Sequence, residues 1–181
     1  MAAIILVFWR ICTFRGGPDT VPVSTLLLTV VIVANAVISL IASSVLQSIM
    51  PPPAVSETAD LTIVSNEFNL ITTVIVSQAS TAALVGLILA MMNFTQRLYQ
   101  TLTALFGTDI IITALGAAVV MIATVLNPIL SQVAFLGMFI WTVGTFGFIL
   151  HKALEISMGF GIAAALFVMI FSIAITQVTT L

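Results

Sequence analysis

Hydrophobic positions run unbroken through most of this chain, and four stretches at 20–56, 68–96, 110–151 and 156–181 contain no Asp, Glu, Lys or Arg. Each exceeds the roughly 20 residues a helix needs to cross about 30 Å of hydrocarbon. The third is too long for one helix and holds "NPILSQ" (127–132) at its centre. Pro128 removes a backbone donor and pushes Asn127 out of the helical region, while Ser131 can cap a following helix. The pattern therefore predicts five spans, at about 22–48, 68–92, 109–127, 131–151 and 157–178. Gly107 and Asp109 suggest a break before span three, so "TQRLYQTLTALFGTD" reads as a short interfacial helix or as the lower end of the same helix.

Composition narrows the class. Hydrophobic residues make up 61% of the 181 positions and charged ones 6%, against about 25% charged in soluble domains. Lipid must be the main solvent, and helices, which satisfy their own backbone groups, are the expected way across it. A barrel would show segments of about ten residues with alternating polarity, which are missing here. The expected fold is an all-α polytopic membrane protein with five transmembrane helices. The opening "AAIILVFWRICTF" is too short to span and reads as an interfacial helix, with Trp9 at headgroup level and Arg10 and Arg15 reaching toward phosphate. Residues 1–21 form this segment and a joint, and 22–181 the transmembrane domain.

Charge adds an orientation. With the N-terminus inside and five spans threaded, Arg10, Arg15, Arg97 and Lys152 all fall on one side. The opposite connections carry no Lys or Arg, and the first holds Glu57, Asp60 and Glu67. The positive-inside rule then places the N-terminus in the cytoplasm and the C-terminus in the periplasm of a bacterial inner membrane. The sequon at Asn93 falls inside, and the triple proline of the outer loop reads as a stiff spacer. A net charge of −2 gives no basic patch for nucleic acid. The single Cys12 forms no internal disulfide and reads as a small hydrophobe.

Reactive groups are sparse. His151 has no second His or Cys at metal-ligand spacing, and in "HKALE" it can pair with Glu155 one turn on. With spans bounded as above, no charge lies near a midplane, which argues against ion pumping. Asp109 falls at the start of span three, where a carboxylate complements the helix dipole, as Glu67 does at span two with Ser65 or Asn66 as cap. The expectation is a protein without catalytic residues, cofactor or metal. Asn35, with Ser77, Gln78, Ser80 and Thr81, forms a seam of interhelical hydrogen bonds or a small polar pathway. Ser157, Gly161 and Ala165 repeat every four residues in span five, a groove for another helix of this chain, a second copy or another subunit. Gly137, Gly144 and Gly147 suggest a second such surface, and Ala114 with Ala118 a third.

The joint "TFRGGPDTVP" (13–22) lacks the Lys-Ser/Thr of a phosphate loop and reads as a turn, with Asp19 or Thr20 capping a helix that Pro22 begins. "FRGGPDTVP" before span one and "TQRLYQTLTALFGTDIIITAL" around the start of span three resemble segments of the Yip family, Rab-interacting Golgi membrane proteins with prokaryotic relatives, here small gammaproteobacterial inner-membrane proteins. The resemblance implies a five-span, non-enzymatic protein that organises or assembles other membrane components. Its partners would be the bilayer, other membrane proteins or further copies of itself. Arg15, Asp19, Arg97 and Asp109 are the candidate partner contacts. The rival reading is a small-molecule or lipid transporter using the seam between spans one and two.

Overall fold

The apolar runs are helical in the computed structural model, which describes residues 2–49 and 59–179. Six α-helices follow one another there: α1 Ala2–Cys12, α2 Thr25–Ile49, α3 Ala59–Met91, α4 Leu98–Leu126, α5 Pro128–Leu154 and α6 Met158–Thr179. Five are long and apolar enough to cross a membrane, over Thr25–Ser48, Leu70–Met91, Thr95–Leu126, Ile129–Leu154 and Met158–Val178. The protein is an all-α polytopic membrane protein, with one further helix at its N-terminus. Neighbours pack in the order α2, α4, α5, α6, α3, and α3 returns to α2.

Several boundaries differ from the sequence reading, each for a local reason. Span three does not begin at Asp109: one 3-10 turn at Thr95–Arg97 leads into α4, which runs unbroken through Gly107 and Asp109. Gly107 is small because the Phe8 ring lies against it, and a Cβ there would collide with the ring. The turn at "NPILSQ" shrinks to one residue. Asn127 is extended at φ −165° and its side chain accepts from Ile129 N at 2.8 Å, so Asn127 rather than Ser131 caps α5. Neither Asp19 nor Thr20 caps α2; Ser24 Oγ accepts from Leu27 N at 3.3 Å, and Pro22 lies in the extended segment before it. α3 begins at Ala59, ahead of the expected start at 68. Glu57 and the triple proline lie outside the described residues, as do the side chains of Asp60, Ser65, Asn66 and Glu67.

The core lies where the first half of α4 meets the second half of α5 and includes Leu105, Phe106, Ile149 and Leu150, joined by Val31, Leu89 and Val168 from the other spans. α1 adds Phe8 and Ile11 to it. This N-terminal helix is drawn against the flank of the bundle: the Trp141 Nε1–H donates to the Cys12 carbonyl at 3.0 Å, and Trp141 lies near the middle of its span. Ile5, Leu6 and Trp9 on the far side of α1 remain exposed.

The small-residue stripe of span five is consumed inside the chain. A Cβ on Gly161 would strike the Gly147 carbonyl and the backbone at His151, while one on Gly147 would strike the backbone of Ile162. Two helix backbones in such contact leave no room for a side chain between them. Ala165 is buried and Ser157 exposed at the end of the stripe. Gly144 faces the Phe14 ring, whereas Gly137, Ala114 and Ala118 lie on open surface.

Candidate functional site

Two clusters of polar side chains lie at different heights in the bundle. The deeper one is built by Asn35 of α2, Gln78 of α3 and Asp109 of α4, each near the middle of its span. Asn35 Nδ2 donates to Asp109 Oδ2 at 2.9 Å and to the Phe106 carbonyl at 3.0 Å. Its Oδ1 accepts from Gln78 Nε2 at 2.8 Å and from Ser39 Oγ at 3.1 Å. One buried amide thus uses both of its ends to tie three spans together. Among the described residues no Lys, Arg or His lies within ion-pair distance of Asp109, the ion pair present being Arg97 with Glu155.

Asp109 faces a cavity of about 270 Å³, lined also by Thr73, Ser77, Thr142 and Ser172. A second cavity of about 370 Å³ shares Ser39, Thr142 and Met169 with it and extends past Ser43 and Gly116 to Leu46, Val120 and Phe135. The second cavity thus borders the first and lies toward the end of the bundle remote from Arg97. In the other direction, buried Leu102, Leu105, Phe106, Phe146 and Ile149 close the route with apolar side chains. The expected seam of spans one and two forms two hydrogen-bonded groups beside the Asp109 cavity, whose lining includes Thr81. Asn35 and Gln78 belong to the Asp109 cluster, whereas Ser80 and Thr81 meet Ser172 of α6 at 2.7 and 3.1 Å, and the Ser172 hydroxyl donates to the Ser77 carbonyl.

The shallower cluster lies where the joint meets the ends of α4 and α5. A cleft of about 590 Å³ is lined by Phe14, Arg15, Asp19, Arg97, Gln100 and Lys152, with Gly16, Gly17, Phe148 and Glu155 completing its walls. Gln100 Nε2 donates to the Val21 carbonyl at 3.1 Å and holds the joint against α4. Phe14, in the left-handed region at φ 60°, packs edge-on to Phe148 with centroids 5.4 Å apart. Glu155 does not pair with His151, as the one-turn spacing suggested. It adopts φ 56° as α5 ends and its carboxylate accepts from Arg97 Nη2 at 2.6 Å, while His151 Nδ1 meets the Ile156 carbonyl. The Arg97 guanidinium also lies 5.3 Å from the centre of the Phe94 ring.

Comparison with protein-family models, with curated proteins and with solved structures finds no match, and the likeness to the Yip family rests on the two quoted segments. Of the four residues expected to contact a partner, Arg15, Asp19 and Arg97 come together in the cleft. Asp109 stands apart from them in the deeper cavity.

By sequence Asp109 reads as a span border, because glycine and aspartate commonly interrupt helices. The signal that locates it correctly is the apolar run on both sides, "TALFG" before and "IIITAL" after, which makes it interior to one long span. Cys12 is fully buried, its Sγ 3.8 Å from the Thr108 carbonyl. Burial pushes its thiol up to about 12, and the Asp109 carboxylate adds to the rise, so it is unsuited to nucleophilic chemistry at neutral pH. No group of three or more His, Cys, Asp or Glu able to hold a metal is found among the described residues.

Proposed function

We propose that the protein is a membrane carrier for a small solute that is cationic or rich in hydrogen-bond donors, with Asp109 as its binding group. The observation that carries this reading is a carboxylate at mid-span, facing a cavity, held by an amide and lacking a cationic partner among the described residues. An acidic side chain at a helix centre costs about 2.5–3.5 kcal/mol on insertion scales. Asparagine at 109 would tie α2 to α4 more cheaply, so a purely adhesive role leaves the charge unexplained. A bound cation or proton accounts for it, and the neighbouring cavity, mostly apolar with Ser43, Thr113 and Thr142 in its lining, lies on the side of an approach from one end. In this reading the protein is not an enzyme, because Asp109 holds the solute without reacting with it. The end bearing Arg15, Arg97 and Lys152 would face the cytoplasm of a bacterial inner membrane, as the positive-inside rule expects.

The test is flux. Purified protein in phosphatidylcholine vesicles should take up one or more members of a panel of monovalent cations and small amines faster than empty vesicles. Asp109→Asn should abolish that flux while the protein stays monodisperse and keeps its helical signal. Flux that survives Asp109→Asn undiminished, or wild-type vesicles no more permeable than empty ones across the panel, would remove the proposal.

One observation favours the second reading, an organising or assembly component. Arg15 and Asp19 lie exposed on the joint, at the mouth of the cleft, where another protein can reach them. A partner captured in gentle detergent and lost with Arg15→Ala plus Asp19→Ala would support it. The stripe around Gly161 is not open to such a partner, because Gly161 already packs against α5.

A further inference from the structure

The cleft between the joint and the ends of α4 and α5 has a composition that the solute site does not explain. It gathers Arg15, Arg97 and Lys152, three of the four Lys and Arg in the whole chain, from three segments far apart in sequence. Glu155 is committed to Arg97 at 2.6 Å. Among the described residues Arg15 and Lys152 have no carboxylate within ion-pair distance, and both are exposed. The carboxylate of Asp19 also lines the cleft and shares the side of Gly17 with the Lys152 stem, outside ion-pair distance of either cation. One wall is aromatic, built from Phe148 and the exposed face of Phe14. Two cations outside any ion pair and an apolar wall at the end of a membrane bundle match a phosphate that carries a hydrocarbon tail.

We infer that this cleft binds a phosphate ester, with Arg15 and Lys152 on the phosphate oxygens and Phe14 and Phe148 against the apolar part of the ligand. The chemistry is shared by the headgroup of an anionic phospholipid and by a soluble phosphate, and the aromatic wall favours the lipid. The site lies apart from the Asp109 cavity and stands whether or not that cavity carries a solute.

The experiment uses the full chain in a neutral detergent and follows tryptophan fluorescence during titration with short-chain phosphatidylglycerol, short-chain phosphatidylcholine, glycerol phosphate and inorganic phosphate in turn. Saturable binding of phosphatidylglycerol is expected, weakened about tenfold or more in Arg15→Gln plus Lys152→Gln. Phosphatidylcholine should bind far more weakly. Arg10→Gln removes the fourth basic residue, which lies outside the cleft, and should leave the affinity unchanged. Equal binding of inorganic phosphate, lost in the same double variant, would support the cleft while assigning it a soluble ligand. An equal loss in Arg10→Gln would reduce the effect to general surface charge and overturn the site. So would a double variant that melts like the wild type and binds phosphatidylglycerol as tightly.

Discussion

Thr145 and Cys12 are both fully buried, and each makes a single-residue forecast. Among the described residues the Thr145 hydroxyl is buried without a hydrogen-bond partner, so it carries a desolvation cost with nothing returned. Thr145→Val, of nearly the same shape, should leave thermal stability unchanged or raise it by up to about 1 kcal/mol. Scanning fluorimetry in detergent reads this, and a marked loss would mean that the hydroxyl has a partner. For Cys12, whose thiol burial holds near 12 against an ordinary 9.0, maleimide labelling of the folded protein should be slow at pH 7–8 and accelerate on denaturation. The sign of its pH effect follows. Between 9.0 and about 12 the unfolded chain carries a thiolate that the folded chain refuses, so stability falls as pH rises through that window, with no effect from this group at neutral pH. Asp109 marks the limit of reading residues from sequence. Its identity was plain, but its surroundings come from Asn35 of α2 and Gln78 of α3, and no local pattern brings those to it.

At the scale of helices, the count of five spans was legible because an uncharged run longer than the bilayer is thick admits few alternatives. The ends were less legible, because caps and breaks depend on contacts. Gly107 looked like an interruption and serves as a landing site for Phe8; Ser131 looked like a cap and yielded to Asn127, whose side chain was one turn nearer the start. Gly107→Ala should therefore leave α4 intact but push α1 outward. The expected signature is a faster Cys12 labelling rate with an unchanged far-ultraviolet helical signal, and unchanged labelling would contradict the docking of α1. Gly161→Leu is a harsher change, since the obstacle is backbone on α5. It should destabilise the bundle by more than about 3 kcal/mol, beyond ordinary overpacking, and be read as loss of folded protein in detergent.

For the molecule as a whole, the joint, the turn after α3 and the link between α5 and α6 converge on one end, held by Arg97 with Glu155 and by Gln100 with the Val21 carbonyl. That convergence was anticipated from the alternation of basic residues along the chain. The orientation expected from it predicts that a reporter fused after Leu181 is active on the extracytoplasmic side, and one fused after Asn127 likewise. Activity of the Leu181 fusion in the cytoplasm would reverse the arrangement. α4 has its own bearing on how the protein sits. The span Thr95–Leu126, at 32 residues, is about 48 Å long at 1.5 Å per residue, well beyond a 30 Å core, so it must tilt or project at the basic end.

α1 also constrains the order of assembly. The Cys12 carbonyl receives its hydrogen bond from a residue 129 positions later, and the Cys12 thiol meets a carbonyl 96 positions later. The α1 segment, which precedes both partners in the chain, therefore has no seat until α4 and α5 are in the membrane. During synthesis its apolar face must be held by lipid or by a chaperone, and a helix made before its partners is fastened only after them.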